Sequence, residues 1–162
     1  MKFYIAQGIG FIAMALVVWS FQKNDKRKLL WIQALASAVF AIHFILLGAW
    51  TGMGMNLIQI PRNLVFAAKT EKHKWLWTAV FVGAVIIIGI FTWESPISLM
   101  PICSISLSTI VFRMKNPKHI RFCSLPISVL WLIYNIMSWS IAGVMNESFC
   151  LLSILIAIIR FR

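Results

Sequence analysis

The chain has 162 residues, 61% of them apolar and 12% charged, with a formal net charge of +11. So few charges cannot coat a water-soluble domain of this size, uninterrupted apolar runs are not the alternation of a membrane barrel, and twelve Phe with eight Trp exclude a disordered chain. What remains is an all-α polytopic membrane protein, whose seven spans of about 20 residues leave no room for a separate soluble domain.

Taken in chain order, the spans predicted are residues 3–21, 29–48, 51–68, 74–93, 96–113, 119–138 and 140–159. Basic clusters mark most of their ends: Lys23, Lys26, Arg27 and Lys28; Lys69, Lys72 and Lys74; Arg113, Lys115, Lys118 and Arg121; Arg160 and Arg162. Two uncharged runs, 29–61 and 122–146, are too long for one crossing, so each must hold a turn without charge. Residues 48–54, with Gly48, Gly52 and Gly54, supply the first, and Ser138 to Ser140 followed by Gly143 the second, these four glycines belonging to turns or to close helix approaches. The opening apolar run lacks a small-x-small cleavage site and reads as a retained helix.

With the connections alternating by side, 13 of the 15 Lys and Arg collect on one face and only Lys2 on the other, while Arg62 lies inside a span. The positive-inside rule then puts the amino terminus in the periplasm and the carboxyl terminus in the cytoplasm. The clusters read as anchors touching anionic lipid headgroups, so membrane lipid is the expected partner and nucleic acid is not. Cys103, Cys123 and Cys150 form neither a disulfide framework nor a CxxC metal site and are expected as buried small fillers.

Sliding the chain by 91 positions lays Phe21 on Phe112, Ser37 on Ser128, Ile42 on Ile133 and Gly52 on Gly143. The expected domain is thus a single membrane domain, 1–162, made of two parallel three-helix repeats, 3–68 and 96–159, joined by a connector helix at 74–93.

Ionisable groups in a bilayer core need a partner, a wet cavity or a function. Arg62 and Glu147 are the two inside spans, and they are expected to pair between the repeats, as a packing device or as part of a binding site. Asn56, Gln59 and Asn63 recur at helical spacing beside Arg62, and Pro61 is expected to kink that helix. The candidate ligand-binding set is His43, Asn56, Gln59, Arg62, Trp131, Tyr134, Asn135, Asn146 and Glu147. His43 is read first as a hydrogen-bonded packing residue, because no second intramembrane histidine supports a metal. No paired-carboxylate, Cys-His or multi-His set has catalytic spacing, so no catalytic residue, metal or cofactor is expected and the chain is not read as an enzyme. A carrier or facilitator of a small polar solute is the leading reading. The alternative is a non-transporting membrane subunit whose buried polar network is structural. Oligomeric state is left open.

Residues 6–10 (Ala-Gln-Gly-Ile-Gly), Ser20 to Gln22, Gln33 with Ser37, His43-Phe44 with Leu47-Gly48, Asn56 ahead of Arg62, Ser140 with Gly143, Glu147 to Phe149 and Ile158 to Phe161 resemble the YgjV family of small bacterial inner membrane proteins. The resemblance implies a multi-pass inner (plasma) membrane location and brings no activity with it. The order of three helices, one connector and three helices also resembles SWEET-like carriers, which implies transport and points to Asn56 and Asn146 as pocket residues. Of the helix prolines of those carriers, only Pro101 and Pro126 have counterparts here.

Overall fold

The computed structural model describes residues 1–21, 23, 25–68, 73–111 and 117–160. Gln22, Lys69, Lys72, Phe112, Arg113, Lys115, Phe161 and Arg162, named above, lie outside the described residues. The described residues form seven α-helices and no strand: α1 (Lys2–Phe21), α2 (Lys26–Leu47), α3 (Trp50–Ala68), α4 (Lys74–Phe91), α5 (Leu99–Val111) behind a 3-10 turn at Pro96–Ser98, α6 (Pro117–Met137) and α7 (Ile141–Arg160).

Local chemistry accounts for the boundaries. Asp25 starts α2, its carboxylate accepting from the backbone N–H of Arg27 (2.7 Å) and Lys28 (3.3 Å) at the positive end of the helix dipole. Gly48 ends it at φ +74°, a left-handed conformation that costs any residue with a β-carbon about 1–2 kcal/mol. The α6–α7 turn repeats this geometry. Gly48 N–H donates to Ile45 O and Ala49 N–H to Phe44 O; Trp139 N–H donates to Ile136 O and Ser140 N–H to Asn135 O. Trp139, at φ 54°, takes the left-handed position without being glycine.

The other three glycines near these turns are the close helix approaches. Gly52 and Gly54 belong to α3 and Gly143 to α7. Their service is close approach: a β-carbon on Gly52 would lie 2.8 Å from the Tyr134 ring, and one on Gly143 would collide with the Asn135 carboxamide. α3 also runs unbroken through Pro61.

Within each half, α1 packs on α2 and α2 on α3, as α5 packs on α6 and α6 on α7. α1 meets α7 and α3 meets α5, while α4 lies against α3 and α5. The α2–α3, α4–α5 and α6–α7 turns share one pocket, lined by Gly48, Ala49, Glu94, Ser95, Ser138 and Trp139, so they stand at one end of the bundle. There the Glu94 carboxylate accepts from Thr51 N–H (3.1 Å), tying the α4–α5 turn to the first turn of α3.

The polarity of this bundle is that of a protein dissolved in lipid. Arg62, His43, Asn63 and Asn135 are buried, whereas Ile86, Ile87, Ile90 and Phe91 on α4 and Leu152, Leu155 and Ile156 on α7 are exposed. Lys2–Ser20 and Arg27–Leu47 are long and apolar enough to cross a bilayer, and shorter apolar stretches occupy α4 to α7. Among the cysteines the filler expectation fails for Cys103, which is exposed; Cys123 and Cys150 are partly buried.

Candidate functional site

A cavity of about 190 Å³ lies between α1, α2, α3, α5, α6 and α7. It gathers Asn56, Gln59 and Arg62 from α3, Trp131 and Asn135 from α6, and Asn146 and Glu147 from α7, seven of the nine predicted residues.

The α3 wall is a one-way hydrogen-bond chain. Arg62 donates to Gln59 Oε1 (3.3 Å), Gln59 donates to Asn56 Oδ1 (3.4 Å), and Asn56 donates to the Gly52 carbonyl (2.9 Å). Spacings of three and four residues put these groups on one helix face, and aligned dipoles in such a chain reinforce one another. The same guanidinium donates to Asn63 Oδ1 from Nε (3.4 Å) and Nη2 (3.2 Å), and from Nη1 to the hydroxyls of Ser108 (2.8 Å) and Thr109 (3.2 Å) on α5. All five donors of the fork thus meet neutral oxygens.

Glu147 has other company. Asn146 Nδ2 donates to its carboxylate (3.1 Å), and the Ser128 hydroxyl of α6 faces it. The expected pairing of Arg62 with Glu147 is therefore corrected: in their described contacts the two groups line one cavity and each bonds to neutral neighbours. A guanidinium can be satisfied by amide and hydroxyl oxygens as well as by a carboxylate, and here α5 supplies the oxygens.

Two predicted residues stand off the cavity. His43 is fully buried between α1 and the α6–α7 turn. Its Nδ1 lies 2.7 Å from the Ala6 carbonyl, which can only accept, so Nδ1 carries the proton and Nε2 accepts from the Ser140 hydroxyl at 2.7 Å. Ser140 Oγ in turn accepts from Gly143 N–H (3.1 Å). Gln7 bridges the same elements, donating to Trp139 O (2.8 Å) and accepting from Ala142 N–H (3.2 Å). Both side chains fasten α1 to the second half.

Tyr134 accepts at its hydroxyl from Gly52 N–H (2.7 Å) and lines the outer pocket, not the central cavity. Its ring packs edge-on against Trp131 (5.8 Å between centroids) and beside Phe44 (5.9 Å), and Phe44 stacks on Trp131 (6.1 Å). Phe44 and Trp131 face the cavity, so three rings separate it from the pocket between the turns.

The cavity wall also includes Gln33, Ser37, Phe40, Phe44, Ser108 and Cys150, which sequence reasoning did not place in the site. Gln33 and Ser37, one helical turn apart, carried a usable signal; the aromatic and hydroxyl residues resemble many that face lipid or a neighbouring helix. Asn135 differs from the rest. Its Oδ1 is buried with no hydrogen-bond partner, although such groups cost about 1–3 kcal/mol.

An all-helical bundle with an apolar exterior, a polar interior and basic residues at its helix ends is consistent with a helical membrane protein. A family model described as a bacterial inner membrane protein, Imp-YgjV, matches residues 4–162, and the chain belongs to that family. It is similar to the inner membrane protein YgjV of Escherichia coli strain K12, with 29% identity over 160 residues covering 98% of this chain and 85% of that protein. No solved structure matches.

Proposed function

We propose that this inner membrane protein is a carrier or facilitator of a small polar solute, which occupies the central cavity between two parallel three-helix repeats. The convergence of side chains carries the reading: amides and charged groups of α3, α6 and α7 meet around one space beside aromatic rings, which is what a cavity that receives a hydrogen-bonding ligand presents. At about 190 Å³ the space is smaller than the roughly 300–1,000 Å³ of pockets for drug-sized ligands, so the solute is small. Trp131, Phe40 and Phe44 offer it apolar faces, and the amides and Glu147 offer polar contacts.

The repeat is supported by offsets and contacts. Lys26 and Pro117, which begin α2 and α6, differ by 91 positions, as do Trp50 and Ile141, which begin α3 and α7. The same shift carries Gly48 onto Trp139, and their turns share a hydrogen-bond pattern; it also exchanges the α1–α7 contact for the α5–α3 contact. Basic residues at the opposite end from these turns support a periplasmic amino terminus and a cytoplasmic carboxyl terminus. The three-ring layer then closes the cavity toward the periplasm. We read the protein as not an enzyme, and its likeness to SWEET-like carriers rests on helix order alone.

The second reading is a membrane subunit whose polar interior serves only packing, favoured by the complete satisfaction of the Arg62 fork. Thermal unfolding of the purified protein against sugars, amino acids, nucleosides and vitamins separates the two. A solute at a hundred times its dissociation constant adds about 2.7 kcal/mol to the folded state. The carrier reading expects a stabilising solute whose effect is lost in Trp131→Ala and Asn135→Ala; a hit that both variants retain removes the central cavity from the account.

A further inference from the structure

We propose that Glu147 is the proton-binding group of the cavity, so that occupancy by solute is linked to the uptake or release of one proton. The inference rests on the cavity reading above and adds a second ligand to it.

The chain has four acidic residues. Asp25 caps α2 and Glu94 caps α3, both holding backbone N–H groups at helix ends, and Glu71 lies outside the described residues. Glu147 alone among the described acids sits within a helix, in the second turn of α7, and lines the cavity. A carboxyl in that position has to be accounted for, since such groups in membrane spans are costly and mark solute paths or proton relays.

Its neighbours suit either protonation state. The Asn146 amide donates to the carboxylate, while the Ser128 hydroxyl donates to the anion or accepts from the acid by rotating its proton. A guanidinium fork clamped on both oxygens would hold the group as a permanent anion; a hydroxyl and an amide do not. Apart from Lys2 and Tyr4 on α1, Lys26, Arg27 and Lys28 on α2, Lys118, His119 and Arg121 on α6 and Arg160 on α7, which belong to the ends of their helices, the other titratable or charged groups on the surrounding helices are Arg62 on α3, whose donors reach Gln59, Asn63, Ser108 and Thr109; Cys150, one turn further along α7; His43 on α2, bonded to Ala6 and Ser140; Tyr134 and Cys123 on α6; and Cys103 on α5, which is exposed. α1 contributes Val17 to the cavity and no charge.

The step is balanced: a proton from solvent adds to one carboxylate oxygen, forming an O–H bond, and returns to solvent when that bond breaks. Nothing is oxidised or reduced. Arg62, which lines the same cavity from α3, keeps its charge throughout, so protonation changes the net charge of the cavity by one, and a solute that senses that charge binds differently to the two forms.

Infrared difference spectroscopy of the full chain in detergent tests this without any solute. The carboxylic-acid carbonyl band is followed from about pH 5 to pH 8, the window in which protons exchange under physiological conditions. The expected result is a band that appears on acidification, is lost in Glu147→Gln and returns at a shifted frequency in Glu147→Asp, with Cys103→Ala, outside the cavity, unchanged. A band that survives Glu147→Gln belongs to another acid and overturns the proposal, as does a wild type whose spectrum does not change. Should Glu147→Gln fail to fold, the Glu147→Asp frequency decides: an unshifted band overturns the proposal. Failure here removes the proton role alone, whereas failure of the cavity shows in the reactivity of cysteines placed along its wall.

Discussion

The α3 and α7 walls of the cavity, whose helices begin 91 residues apart, treat their polar groups differently. On α3, every donor of the Arg62 fork is taken and the chain from Arg62 through Gln59 and Asn56 ends on a backbone carbonyl. Across the cavity, Glu147 is met by one amide and one hydroxyl, and the Asn135 carboxamide oxygen on α6 has no partner. Closed networks rigidify and open ones cost stability, so the contrast separates a wall held by its own hydrogen bonds from one whose bonding is incomplete.

Substitutions should reproduce that asymmetry, read as unfolding of the purified protein in detergent. The largest loss belongs to Arg62→Ala, about 3 kcal/mol or more, because oxygens on four residues lose their donor inside a low-dielectric core. Arg62→Lys should recover little of it, since an ammonium cannot span the fork. A stable Arg62→Ala protein would mean that the α3 wall is not the scaffold. Next comes His43→Phe at about 2 kcal/mol, which strands the Ala6 carbonyl and the Ser140 hydroxyl; an unchanged melting temperature would deny that these bonds fasten α1 to α7.

Gly48→Ala should cost about 1–2 kcal/mol purely through backbone strain, because a β-carbon there meets no neighbouring atom within 4 Å. A null effect would show that the turn relaxes. The smallest change is expected for Asn135→Ala, under about 1 kcal/mol, since its oxygen has no bond to lose. A loss as large as that of Arg62→Ala would erase the distinction between the two walls.

Much of the fold was legible because lipid separates residues simply: charges mark helix ends and apolar runs mark spans. The uncharged turns at Gly48 and at Ser138 to Ser140 were found in the right places. For Gly52, Gly54 and Gly143 the choice between turn and close helix approach stayed open, because a sequence does not distinguish a glycine needed for positive φ from one needed for close approach; the structure assigns them to the second. Helical periodicity put Asn56, Gln59 and Asn63 on one face beside Arg62; in the structure Asn56, Gln59 and Arg62 line the cavity, while Asn63 accepts from the guanidinium. The pairing of Arg62 with Glu147 failed because matching opposite charges overlooked neutral oxygens as guanidinium partners, and Ser108 and Thr109 carried no mark that their hydroxyls turn inward. His43, read first as a hydrogen-bonded packing residue, is one; it does not line the cavity because its direction depends on Ala6 and Ser140, far from it in sequence.

The most direct test of a solute cavity is the reaction of single cysteines with a charged, membrane-impermeant thiol reagent, in a protein whose three native cysteines are replaced. Asn135→Cys and Asn146→Cys are predicted to react from the cytoplasmic side, and the reaction should slow when a stabilising solute is present, while Phe91→Cys, on the exposed face of α4, gives the rate of a site outside the cavity. Silence at both cavity positions from both sides of the membrane would contradict the account and leave the polar interior as packing alone.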